Sequence, residues 1–168
     1  DFFVNLRLGS VFMITGKLDG KVAIITGAGM GIGRSIALAF AEEGANTVIV
    51  SRTQSDIDNV VREASYFNAV SLGIRADVAV EEQVEHMVKK TLEAFGQIDI
   101  LVNNAASNGP TGFITDIKVK DWDETISVNL RGIFLCSKAV LPSMMKQKSG
   151  NIINMSSGSG KRTKENAF

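Results

Sequence analysis

The chain has 168 residues, the length of one ordinary domain of ~100–200 residues, and its 18 basic side chains balance 18 acidic ones. Zero net charge excludes a nucleic-acid binder that relies on bulk positive charge, and a composition 45% hydrophobic and 21% charged excludes wholesale disorder. No apolar run reaches the ~18–20 residues that span a bilayer, and the single Cys136 cannot form an internal disulfide, so a soluble cytoplasmic protein with no membrane partner is expected.

In chain order, residues 1–12 (DFFVNLRLGSVF) show neither strand alternation nor a helical stripe, and they lack the basic start and cleavage site of a signal peptide. Met13 is expected to be the biological start, with residues 1–12 an extension and residues 13–168 one domain. Lys21–Thr26 is a short, β-rich and nearly all-apolar run, as in a parallel strand buried on both faces. A glycine-rich turn leads into a helix over Arg34–Glu43, whose Ile36, Ala37, Phe40 and Ala41 recur at helical spacing before Gly44 stops it. Asn46–Val50 reads as a second strand, Ile57–Tyr66 as a helix and Ala69–Ile74 as a weaker strand. Glu81–Phe95 is a helix stopped by Gly96, Asp99–Asn103 a fourth strand, Asp121–Gln147 a long helix and Asn151–Met155 a fifth strand. In the long helix Trp122, Ile126, Asn129, Ile133, Val140 and Met144 form one predicted stripe, and Pro142 is expected to kink or weaken its last turns.

Strands and helices alternating at this spacing require parallel pairing through crossover helices. The predicted fold is therefore an α/β doubly wound parallel sheet of Rossmann type, in a single domain, incomplete at the C-terminus. Ligands of such sheets bind beyond the carboxyl ends of the strands, so the residues that follow each strand matter most.

After the first strand come Thr26, Gly27, Ala28, Gly29, Met30, Gly31, Ile32 and Gly33, running straight into a helix. Glycines permit positive φ and close backbone approach, and the helix start offers N–H groups and a positive dipole end to a pyrophosphate. The spacing is T-G-x-x-x-G-x-G, not G-x-G-x-x-G. Nucleotide binding is the favoured reading, against a glycine-rich turn with no ligand. Further along stand Asp77 and Val78 after the third strand and Asn103-Asn104-Ala105-Ala106 after the fourth. Asn129 lies in the long helix, and Ser156-Ser157 follow the fifth strand.

With these motifs in this order, the chain resembles the short-chain dehydrogenase/reductase family from about Lys17 to Phe168, nearest in texture to its 3-oxoacyl-carrier-protein reductases and related sugar or alcohol dehydrogenases. The resemblance implies that Gly27, Gly29, Met30, Gly31 and Ile32 cradle the pyrophosphate. It implies that Asp77 binds the adenine amino group with Val78 packed nearby, a helix cap being the alternative for Asp77. Asn104 and Ala105 would line the nicotinamide ribose, Ala106 standing where the family usually has glycine. Asn129 would hold a water in a proton relay, with a purely structural amide as the alternative. Ser157 matches the catalytic serine, whose hydroxyl stabilises a developing alkoxide; Ser156 and Ser159 are weaker candidates.

Arg52 occupies the position, about 20 residues past the glycines, where an acid would bind the ribose 2′-hydroxyl of NAD. A guanidinium suits a 2′-phosphate instead, with Ser51 and Thr53 adding hydroxyls, so NADP(H) is expected over NAD(H). The family's general-acid tyrosine lies about thirteen residues beyond the serine, with a lysine four residues later. That position falls past Phe168. The only tyrosine, Tyr66, is in the wrong place, His86 reads as a solvated residue, and no cluster has metal-ligand spacing.

The expected function is an NADP(H)-dependent oxidoreductase interconverting a carbonyl and a secondary alcohol, this chain lacking the tyrosine and lysine. Its partner is a small-molecule carbonyl or alcohol substrate, with no nucleic acid. The rival is a nucleotide-binding module with a regulatory or scaffolding role; a methyltransferase fits Arg52, Asn129 and the serine pair poorly. The resemblance also implies a homodimer or homotetramer assembled through the long helix and the one after it, with Phe134 and Leu135 exposed in this chain.

Overall fold

The computed structural model describes residues 16–67 and 69–157. The expected extension over residues 1–12, the start at Met13 and Ser159 lie outside them. Five strands, β1 (Val22–Thr26), β2 (Asn46–Ser51), β3 (Ser71–Arg75), β4 (Ile100–Asn103) and β5 (Asn151–Asn154), form one parallel sheet in the order β3-β2-β1-β4-β5. The crossovers are α1 (Gly31–Glu42), α2 (Gln54–Ala64), α3 (Glu81–Phe95), and a long helical segment made of α4 (Val119–Ile126) and α5 (Gly132–Gln147). The doubly wound sheet expected from strand–helix alternation is present. The chain winds one way through β1, β2 and β3 and the other way through β4 and β5, so the direction reverses between β1 and β4, where such sheets bind ligands.

Buried apolar runs explain the central strands. All five residues of β1 are buried, and alternate side chains serve opposite faces of the sheet. Ile24 joins Val48, Leu101, Met87, Leu135 and Val140 in a core beneath α3 and α5. Ala23 and Ile25 join Ile49, Val102, Ala37 and Ile57 in a second core beneath α1 and α2. Removing a side chain such as Ile24 costs about 2–5 kcal/mol, because transfer and cavity terms add. At the opposite end from the carboxyl edge, Asp99 accepts hydrogen bonds from the Val22 N–H at 2.9 Å and from Gln97 Nε2 at 2.8 Å, tying β1 to β4.

The long helix departs from expectation in three ways. It begins at Val119, and its i→i−4 ladder is broken by a π turn over Ser127–Arg131. The expected single stripe does not hold. Val140 and Met144 are buried, but Trp122 is 46% exposed. The physical reason is the π turn, whose extra residue rotates the faces before and after it relative to each other by about one residue, ~100°. Leu135, expected on the surface beside Phe134, is buried in the α3–α5 core; Phe134 is indeed exposed. The helix runs past Pro142 to Gln147 and stops where Lys148 adopts φ 55°. Cys136 packs into the same core, and burial pushes its thiol up to about 12. No helix among the described residues is long and apolar enough to cross a membrane.

Candidate functional site

The carboxyl ends of β1 to β4 surround a cleft of about 470 Å³. Its floor is the Thr26–Gly33 turn. Gly27 and Gly31 take φ of +65° and +56°, conformations that L side chains rarely adopt. A side chain at Gly33 would drive into the Gly27 carbonyl, so only glycine lets α1 start this close to β1. A Cβ on Gly31, by contrast, would meet nothing within 4 Å, because it faces the open cleft. Helix α1 has no side-chain cap and no acid in its first turn, so its N–H groups and positive dipole end meet the cleft uncompensated. Met30 and Ile32 flank this point with exposed side chains. Arg34, the nearest cation on α1, is engaged by Glu63 of α2.

A hydrogen-bonded buttress fixes the turn against β4. Thr26 Oγ1 donates to the Val102 carbonyl at 3.2 Å and accepts from the N–H groups of Asn104 and Ala105 at 3.0 and 3.1 Å. Asn104 Nδ2 donates to the carbonyls of Thr26 at 2.9 Å and Gly27 at 3.2 Å. Asn103 Nδ2 reaches Asn154 Oδ1 at 2.9 Å and so ties β4 to β5. Ala106 lines the cleft where the family pattern has glycine.

One side of the rim is built from the ends of β2 and β3. Ser51 and the exposed Arg52 and Thr53 line it. No acidic side chain lies within 4 Å of the Arg52 guanidinium among the described residues. Asp77 and Val78 form the neighbouring wall. Asp77 is not the cap of α3, since that position belongs to Val80. Its Oδ1 accepts from the Ala79 N–H at 2.9 Å, and Gln83 Oε1 accepts from the Asp77 N–H at 2.8 Å, which shapes the turn. Val78 is buried and packs on Gly132, where an added Cβ would lie 2.8 Å from its methyl group.

Asn129 sits in the π turn, half-buried. Its Oδ1 accepts from the Ser107 N–H at 2.7 Å and its Nδ2 donates to the Ser107 carbonyl at 2.8 Å. Both polar atoms are thus engaged with the loop after β4, the arrangement expected of a structural amide. Ser156 and Ser157 follow β5 at the same edge of the sheet, exposed. Tyr66 is exposed just beyond α2, and His86 is exposed on α3. No group of three or more metal-ligating side chains exists among the described residues.

Asp56, Asn108 and Val128 also line the cleft, and sequence reasoning missed them. Asp56 stands four positions after Arg52 on the first turn of α2, a spacing that marks it as a neighbour of the strand end. Asn108 and Val128 carry no such signal. The donor set fits a dinucleotide: backbone N–H groups and a helix terminus for the pyrophosphate, apolar Val78 beside a carboxylate for a purine, and a cation at the far rim.

The chain matches the short chain dehydrogenase family over residues 21–167 and belongs to it. It is 41% identical over 144 residues to a 3-oxoacyl-[acyl-carrier-protein] reductase of Synechocystis sp., covering 85% of this chain and 58% of that protein. It is 43% identical over 140 residues to the (2S)-[(R)-hydroxy(phenyl)methyl]succinyl-CoA dehydrogenase subunit BbsD of Thauera aromatica, covering 83% and 56%. Among solved structures, levodione reductase superposes with a TM-score of 0.86 at 35% identity, over 90% of this chain and 59% of that one. NAD+-bound xylitol dehydrogenase superposes equally well, at 31% identity and over 90% and 58%. The chain therefore spans somewhat under three fifths of the length of these relatives.

Proposed function

We propose that the protein is an NADP(H)-dependent oxidoreductase that interconverts a carbonyl compound and a secondary alcohol. The observation that carries the cofactor half of this reading is the cleft itself: an uncompensated helix start at its floor, and at its rim Arg52, with no acid beside it among the described residues, in the place of a ribose-binding acid. The names of the reductases and dehydrogenases similar to this chain support the carbonyl–alcohol half.

When bound, the nicotinamide supplies or accepts the hydride. The chain's own residues bind and orient. The first-turn N–H groups, with Gly27, Gly29, Met30, Gly31 and Ile32 around them, hold the pyrophosphate. Ser51 and Arg52 hold the phosphorylated ribose, Asp77 and Val78 the adenine, and Asn104 and Ala105 the nicotinamide ribose. The Ser157 hydroxyl donates to the substrate carbonyl oxygen and stabilises the charge that develops there. Asn129 holds the Ser107 loop in place beside that site. The resemblance assigns the proton donor to a tyrosine assisted by a lysine, and Tyr66, just beyond α2, does not stand in that place. The working enzyme assembles as a homodimer or homotetramer in the cytoplasm.

Titration with NADPH and, separately, NADH tests this. NADPH is expected to bind about tenfold tighter or better, since a bidentate guanidinium–phosphate contact exists only with the former. Arg52→Asp is expected to reverse the preference; an unchanged affinity ratio would refute the NADP assignment. Binding by the full-length protein without turnover of any carbonyl substrate would favour the rival reading, a nucleotide-binding module.

A further inference from the structure

Parallel pairing of β2 with β3 places Ser51 opposite Arg75, so the end of β3 brings Arg75, itself outside the cleft lining, beside the turn that carries Arg52 on the cleft rim. Arg75 Nε donates to the Arg52 main-chain carbonyl at 3.0 Å, and the Ala76 N–H donates to the Ser51 carbonyl at 3.0 Å. Those two bonds strap the end of β3 to the turn that carries Arg52. Beyond that single Nε contact, neither guanidinium has a hydrogen-bond partner or an acid within 4 Å among the described residues. Both side chains are exposed. Asp56, which lies against Gly29, and Asp77 are the acids that line the cleft.

We propose that Arg75 is a second specificity-determining residue. With Nε committed to Arg52, its remaining N–H groups join those of Arg52 in gripping a dianionic phosphate monoester carried on the ribose 2′ oxygen. The proposal rests on the NADP(H) reading. It adds a residue to which neither the glycine turn nor the end of β2 points, and it assigns the strand register as the device that brings the second cation in.

The test compares Kd values for NADPH and NADH, by cofactor fluorescence on the full-length protein, across Arg75→Ala, Arg75→Gln, Arg75→Lys and Arg52→Ala. Arg75→Gln keeps a donor for the Arg52 carbonyl while removing the charge, and so separates phosphate binding from bracing of the turn. Arg75→Ala and Arg75→Gln are expected to weaken NADPH roughly fivefold to tenfold while changing NADH less than about twofold, with Arg75→Lys recovering part of the loss. The same variants should weaken 2′,5′-ADP but not 5′-AMP in calorimetry. If Arg75→Gln weakens both cofactors equally, or neither, while Arg52→Ala lowers the NADPH preference, Arg75 is a brace only and the proposal fails with the NADP(H) reading intact. If neither Arg52→Ala nor Arg75→Gln changes the ratio, the NADP(H) reading itself fails and takes the proposal with it.

Discussion

Asn104 spends both hydrogens of its Nδ2 on the carbonyls of two consecutive residues, Thr26 and Gly27, at the point where β1 turns into the cleft. That placement explains why the fourth strand matters to a site built mainly on the first. Replacing the amide with a methyl group leaves two carbonyls without their donor, at a cost of about 1–3 kcal/mol. Asn104→Ala is expected to lower stability to urea by that amount. It should also weaken NADPH and NADH alike, since the turn it holds is the one proposed to bind the pyrophosphate common to both. A stability loss with unchanged affinity for both cofactors would separate the buttress from the site. Thr26 works in the same network through its hydroxyl, and Thr26→Val should behave similarly.

At the level of elements, α3 and α5 are joined by the pair Glu81–Lys138, with Nζ to Oε1 at 2.9 Å. The hydrogen bond and charge of Lys138 hold the Glu81 carboxyl below its ordinary 4.5, and Glu81 in turn raises the Lys138 ammonium above its ordinary 10.5. A depressed acid contributes stability above its unfolded value and loses it as pH falls through the folded one. A raised base contributes below its unfolded value and loses it as pH rises through the folded one. The pair therefore favours the folded state between those limits and nothing outside them. Glu81→Gln is expected to lower the melting temperature slightly at pH 7, by a few degrees at most because both groups are solvated. That difference should shrink as pH falls below 4.5, through the lowered Glu81 value, and shrink again above pH 10.5. A difference that persists into acid would point to packing instead of charge. The same contact zone presses Gly132 against Val78, so the start of α5 supports the wall assigned to adenine.

At the scale of the whole molecule, the central strands were legible because residues 22–25, 48–50 and 100–102 are apolar runs that only a two-sided core can use. The third strand was harder: its Gly73 has no side chain to show, and the structure gives the reason, since Ile57 of α2 fills that space. The glycine turn, Asp77, Val78, Asn104 and Ala105 meet in one cleft, as motifs that follow strand ends should. What could not be read depended on pairing across the chain. Arg75 becomes a neighbour of Arg52 only through the β2–β3 register, and Asn108 and Val128 reach the cleft only once the segment after β4 folds back. The π turn was invisible because Ser127–Arg131 carries no glycine, proline or break in periodicity to announce it.

That turn lets one continuous rod keep two appointments. Within it, Asn129 faces the Ser107 loop; after it, Leu135, Val140 and Met144 pack into the core against the sheet. A helix of uniform pitch has one phase, and its sequence would have to satisfy both targets with it. The extra residue works like a coupling between two shafts set at different angles, so the loop beside the site and the hydrophobic core can each be tuned without turning the other. Deleting Leu130 to restore a regular ladder would force a choice between them, and the deletion should release the Ser107 loop before it unseats the core, because two hydrogen bonds are weaker than a packed helix face.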